Sequence, residues 1–115
     1  MKICILGNGL TSITLAKTLV NQGIYVDIFC KDINYSQNKI RTLGISKSNV
    51  EFFNENILNI KKLLWKINKI EIYSDNLNKE KILNFENHKR FLFSIIKNDV
   101  LFDYLFKELK KNNKL

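Results

Sequence analysis

The chain has 115 residues, 45% of them hydrophobic and 11% aromatic, with four glycines, no proline and a formal net charge of +8. That length holds one small domain, and the apolar content excludes a disordered chain. The excess charge is almost all lysine scattered among asparagine and isoleucine, with only Arg41 and Arg90 for bidentate recognition. It reads as a solvated basic surface with no nucleic-acid partner.

Lys2 to Leu6 is a short apolar run ending at Gly7, expected as a strand buried on both faces. The turn Gly7-Asn8-Gly9-Leu10-Thr11-Ser12 follows. A helix comes next, its apolar stripe read as Leu15, Ala16, Leu19 and Val20 and its end set by Gly23. Ile24 to Phe29 is the second strand, and the single helix between the two makes them parallel neighbours joined by a right-handed crossover. Cys4 and Cys30 lack the spacing of a disulfide framework or a metal site. They are expected as small buried residues of these strands, which suits a reducing cytoplasm. No apolar run approaches the ~20 residues of a membrane span. A strand that starts within two residues of Met1 leaves no room for a signal peptide.

Lys31 to Leu43 is polar and reads as irregular. Ser46 has the chemistry of an N-cap for a helix that contains Val50, Phe52 and Phe53 and runs to about Asn56. A further helical stretch is expected over Ile60 to Trp65. Three strands follow, Lys69 to Tyr73, Lys81 to Phe85 and Phe91 to Ile96, with turns at Asn76 to Asn78 and Glu86 to Lys89. They are expected to form one small antiparallel sheet. Asp99 is placed to cap a last helix in which Val100, Leu101, Tyr104, Leu105 and Leu109 recur at three and four residues. Lys107, Lys110, Lys111 and Lys114 complement the dipole at its end. The fold class is α/β, a parallel βαβ start with a small antiparallel sheet, and the last helix is expected to pack against the parallel pair.

The glycine turn carries the chemistry. In a strand, turn and helix of this kind the first glycine makes the tight turn, and the second leaves room for a pyrophosphate. The helix N-terminus then points free N–H groups at the charge. Gly7 and Gly9 fill both roles, and Ser12 replaces a third glycine whose task is close packing. The competing reading is a turn that holds nothing. The acid that takes ribose hydroxyls belongs at the tip of the second strand, where this chain has Cys30. Asp27 comes three residues too early and Asp32 two too late, so the ribose contact is unsupported or falls to Asp32. Lys31 favours extra phosphate or is simply solvated.

The blocks "ILGNGLTSITLAKTLVNQGIYVDIF", "RTLGISKSNVEFF", "INKIEIYSD" and "NDVLFDYLFKEL" resemble, in order, the N-terminal third of flavin-dependent aromatic hydroxylases of the ubiquinone-biosynthesis type. These belong to the para-hydroxybenzoate hydroxylase-like flavoprotein monooxygenases. The resemblance implies a partial Rossmann-like FAD/NAD(P)-binding domain, with 1–66 and 98–115 as its nucleotide-binding part and 67–97 as the start of a substrate-domain sheet. It implies that Gly7, Gly9, Leu10, Thr11 and Ser12 hold the FAD pyrophosphate, that Arg41 contacts the flavin side of the cofactor, and that Asn98 stands at a polar position before the last helix.

In the full-length family, NAD(P)H reduces FAD and the flavin then uses oxygen to hydroxylate an aromatic ring or quinone precursor. No catalytic residue and no metal ligand is expected in this segment, and His88 reads as a solvated imidazole. The family's later Gly-Asp motif is absent, so the chain is expected to be the front part of a longer enzyme, inactive alone. It is expected in the cytoplasm, with peripheral association with the inner membrane allowed by the resemblance. The alternative is a stand-alone dinucleotide-binding module without catalysis, and a third reading is a remnant with no ligand.

Overall fold

The structure, a computed structural model, describes residues 1–31, 41–73, 81–86 and 93–112. The parallel start is present as expected: β1 (Lys2–Leu6), α1 (Leu10–Asn21) and β2 (Tyr25–Phe29), with β1 and β2 paired in parallel from Lys2↔Tyr25 to Leu6↔Phe29. Gly23, at φ +81°, lets the chain leave α1. Its N–H donates to the Val20 carbonyl and that of Ile24 donates to the Leu19 carbonyl, so two otherwise orphaned carbonyls are satisfied. The next elements are β3 (Thr42–Ser46) and α2 (Lys47–Asn56), then a 3-10 turn (Lys61–Leu63). They are followed by β4 (Trp65–Ile67), β5 (Lys69–Tyr73), β6 (Lys81–Glu86), β7 (Phe93–Lys97) and α3 (Asn98–Lys110).

Ser46 caps α2 as expected, its hydroxyl accepting from the Asn49 N–H at 3.3 Å. Four expectations about the elements after β2 change. The stretch before Ser46 is not irregular at its end, because Thr42–Ser46 forms β3, antiparallel to β7. The segment after Ile60 makes only one tight turn before Trp65 enters β4. The three late strands do not share a sheet: β5 and β6 form a hairpin, whereas β7 lies between β3 and β4. Asp99 sits in the first turn of α3, whose N-cap is Lys97, and makes no capping bond. Of the turn expected over Glu86 to Lys89, Glu86 ends β6 instead; the rest of it, the turn expected over Asn76 to Asn78, and Asp32, His88, Arg90 and Lys114 lie outside the described residues.

One core joins the pieces. Ile5 of β1, Ile13, Ala16 and Val20 of α1 and Val26 of β2 are buried with Ile57, Ile60 and Ile96 and with Leu101, Phe102, Leu105 and Leu109 of α3. The last helix therefore shares a core with the parallel pair, chiefly through α1. The stripe of α1 is rotated from the one expected: Ile13 is fully buried and Leu15 is 47% exposed. The spacing from Ile13 to Ala16 to Val20 is three and four residues, so the same periodicity fits another face.

The strands of the parallel pair are covered on one face among the described residues. Ile5 and Val26 point into the core, while Lys2, Cys4 and Leu6 of β1 and Tyr25 and Phe29 of β2 are exposed. Cys4 and Cys30 are thus exposed thiols, contrary to expectation. Cys4 alternates with the inward Ile3 and Ile5, and Cys30 lies one residue past β2.

At the end of α3 the lysines are engaged locally. Lys111 reaches Glu108 at 2.9 Å and Lys110 stands 4.5 Å from the Phe106 ring centre. No described helix is long and apolar enough to cross a membrane. Among the described residues no cluster of His, Cys, Asp and Glu is arranged to hold a metal.

Candidate functional site

The glycine turn is set by the register of the parallel pair. One step beyond Leu6↔Phe29, the Gly7 N–H donates to the Phe29 carbonyl at 2.7 Å, so the turn starts level with the end of β2. Gly7 has φ +107°, a conformation that L side chains rarely adopt. A β-carbon there would also sit 3.4 Å from Ser12 Oγ. Ser12 therefore packs back on the turn, the place a third glycine would occupy, and its small side chain fits.

Gly9 differs from Gly7. It is the N-cap of α1, with φ −71° and ψ 176°, angles open to any residue, and its carbonyl accepts from the Ile13 N–H at 3.1 Å. A β-carbon on Gly9 would meet nothing within 4 Å. Space in front of the helix end, not backbone strain, is what this glycine provides. The first-turn N–H groups of Leu10, Thr11 and Ser12 have no intrahelical acceptor by geometry.

The three helices treat their N-termini differently. Ser46 caps α2, and α3 carries Asp99 in its first turn. Of the three described α-helices, only α1 has neither a side-chain cap nor an acid in its first turn. Its positive end carries no acid in its first turn and no side-chain cap, which leaves the helix dipole available to an anion. A dinucleotide pyrophosphate fits this arrangement, because the Gly9 side of the turn is the cradle that a side chain would fill.

Arg41 is exposed and immediately precedes β3. Its carbonyl accepts from the Asn98 N–H at 3.0 Å, extending the β3–β7 ladder one step beyond Thr42↔Lys97. Strand alternation puts Arg41 on the side of β3 that carries Leu43 and Ile45. Those two residues line a groove of about 540 Å³ together with Leu10 and Thr11 of the first turn of α1 and Leu101 of α3. The structure thus brings β3, the start of α1 and the start of α3 around one groove. No described hydrogen bond joins the Arg41 side chain to Gly7–Ser12. Asn98 is buried, 5% exposed. Reading the sequence missed β3, because Gly44 broke the run; the alternation of Leu43 and Ile45 was the available signal.

At the tip of β2, Asn8, Phe29 and Cys30 line a separate cavity of about 560 Å³ with Ile13, Val26 and Phe106. Asp27 is held by Lys2 at 2.8 Å. The Asp27 carboxylate, first by hydrogen bonding and then by charge, raises the Lys2 ammonium above its ordinary value.

No protein-family model and no curated protein matches the chain by sequence. Solved structures do match its fold. The 2,6-dihydroxypyridine-3-hydroxylase from Arthrobacter nicotinovorans aligns over 93% of this chain with a TM-score of 0.69 and 16% identity. The p-nitrophenol 4-monooxygenase PnpA from Pseudomonas putida DLL-E4 aligns over 98% with a TM-score of 0.78 and 13% identity. Klebsiella pneumoniae HpxO, solved with FAD and uric acid, aligns over 94% with a TM-score of 0.73 and 14% identity. The chain has the α/β fold of one part of these three chains. It spans 26%, 31% and 28% of their respective lengths.

Proposed function

We propose that the chain is the FAD-binding N-terminal segment of a flavin-dependent monooxygenase that hydroxylates an aromatic ring or quinone precursor. The observation that carries this reading is the uncapped, acid-free N-terminus of α1 behind the open space at Gly9. The likeness of fold to a hydroxylase, to a monooxygenase and to a protein solved with FAD and uric acid supports it. The ubiquinone-biosynthesis type, NAD(P)H as reductant, and residues 67–97 as the start of a substrate domain belong to the same proposal and rest on the sequence resemblance. So does peripheral contact with the inner membrane.

In this reading the N–H groups of Leu10, Thr11 and Ser12 bind the pyrophosphate. Gly7 holds the turn at the end of β2, and Arg41 faces the flavin side from the edge of β3. Bound FAD would supply the redox chemistry, and these residues would position it. No side chain of this segment transfers a proton.

Calorimetric titration of the purified chain and its Gly9→Val variant with FAD and NADH tests the cradle. Binding that is lost in Gly9→Val, with helical circular dichroism unchanged, is the expected result; equal binding by both proteins refutes it. Flavin absorbance and NADH oxidation with phenolic substrates test the segment reading, which expects weak FAD retention and no turnover. Stoichiometric yellow protein with substrate-stimulated turnover would make this chain a complete enzyme. Stable FAD binding without turnover would favour the stand-alone module.

A further inference from the structure

The outer face of the sheet formed by β3, β7 and β4 takes no part in the glycine turn. In β7, Ser94 and Ile96 turn into the core, so alternation sends Phe93, Ile95 and Lys97 to the opposite face. The register adds Gly44 and Trp65 beside Ile95, and Thr42 beside Lys97. Gly44 contributes no side chain there. The face holds an open groove of about 410 Å³ walled by Leu63, Trp65, Ile95 and Val100, with Thr42 and Lys97 as its polar members.

Trp65, the chain's only tryptophan, is 75% exposed. An indole joins a large apolar body to one N–H donor, the balance that suits it to the headgroup level of a lipid bilayer. The charges in this stretch share one sign. Lys61 and Lys62 belong to the 3-10 turn that leads into β4, Lys66 follows Trp65, and Lys97 stands on the groove; all four are exposed. The ammonium groups of Lys61, Lys62 and Lys97 make no ion pair among the described residues. Asp99, two residues past Lys97, keeps its Oδ1 shielded from solvent.

We propose that this face docks on an anionic phospholipid surface, with Trp65 entering the headgroup layer and Lys61, Lys62 and Lys97 meeting lipid phosphates. The proposal gives a surface to the peripheral membrane contact of the preceding reading and rests on that part of it alone, not on the FAD cradle. Charge decides the occupant. A second copy of the chain, itself at +8, would set like lysines against one another across a two-fold axis. A neutral bilayer offers the lysines no counter-charge, whereas anionic headgroups attract each of them. Lysine stems lie along apolar surface while their heads reach phosphate, so the groove and the charges serve one ligand.

Because Trp65 is the only tryptophan, its fluorescence reports the docking directly. The purified chain is titrated with vesicles of phosphatidylcholine alone, and of phosphatidylcholine mixed with an equal part of phosphatidylglycerol. The expected result is a blue shift and co-sedimentation with the mixed vesicles only, both reversed by about 0.5 M salt, which screens surface charge. Lys61→Ala combined with Lys62→Ala should weaken binding by about tenfold or more, at roughly fivefold for each ammonium near a charged surface. Trp65→Ala, followed by co-sedimentation, should weaken it by about tenfold through lost apolar burial. Circular dichroism of both variants keeps a folding defect apart from a binding one. Co-sedimentation that neither variant lowers overturns the assignment of this face and leaves the peripheral contact standing. No binding to the mixed vesicles overturns both, while FAD titration of the same preparation tests the cradle separately. A blue shift that grows with protein concentration without vesicles would make the face a contact between copies. Equal binding to neutral vesicles would remove the lysines from the docking. Either result overturns the proposal.

Discussion

The backbone N–H of Asn98 donates to the carbonyl oxygen of Arg41 at 3.0 Å, locking the start of β3 to the start of α3. Two residues far apart in sequence become adjacent at the groove that also receives the first turn of α1. The bond uses only main-chain atoms. Arg41→Ala keeps it, and because the Arg41 side chain is exposed, the urea midpoint should shift by less than about 0.5 kcal/mol of stability. If Arg41 faces the flavin side as proposed, FAD binding should weaken about tenfold in this variant. Titration and urea denaturation of the same preparation check both halves, and a large loss of stability would give Arg41 a structural role instead.

The two glycines of the turn separate by backbone conformation. Gly7→Ala should destabilise the fold by roughly 1–3 kcal/mol, because φ +107° is strained for any L side chain. The new methyl would lie 3.4 Å from Ser12 Oγ, an ordinary contact, so the cost is that of the backbone. Gly9→Ala should cost less than about 1 kcal/mol, the scale of N-cap preference, since its angles suit alanine and its surroundings are open. Equal urea midpoints for the two variants would contradict this assignment of strain.

Ser94 is the second residue of β7, 0% exposed, and its hydroxyl has no hydrogen-bond partner among the described residues. Burying such a group without a partner costs free energy that a methyl does not. Ser94→Ala should therefore leave stability unchanged or raise it by up to about 1 kcal/mol, in contrast to most buried substitutions. A fall in the thermal midpoint would mean that the hydroxyl is satisfied in solution.

The Lys2–Asp27 pair gives a pH dependence of known sign. Asp27 raises the Lys2 value in the folded state above its ordinary 10.5. The contribution of the pair is thus fully present below the unfolded lysine value and disappears as pH rises through the folded one. The gap in urea midpoint between wild type and Asp27→Asn should be constant from about pH 7 to 9 and close above about pH 10.5. A gap that persists into the alkaline range would assign the effect to packing.

The local signals in the sequence determined much of the fold. Gly23 ended α1 because a positive φ was needed there, Ser46 capped α2 because its hydroxyl reaches an orphaned N–H, and one intervening helix made β1 and β2 parallel. The positions of Gly7 and Gly9 were legible for the same reason: strand, turn and helix follow in ten residues. Long-range pairing was decided only in three dimensions. Whether β7 joins β6 or β3 depends on which edge it meets, and no local preference encodes that choice. The sequence showed a thiol at the tip of β2 but not its exposure, nor that Lys2 would engage Asp27. Both follow from the register of β1 on β2, which sets the level of the turn, and from the covering of only one face of that pair among the described residues.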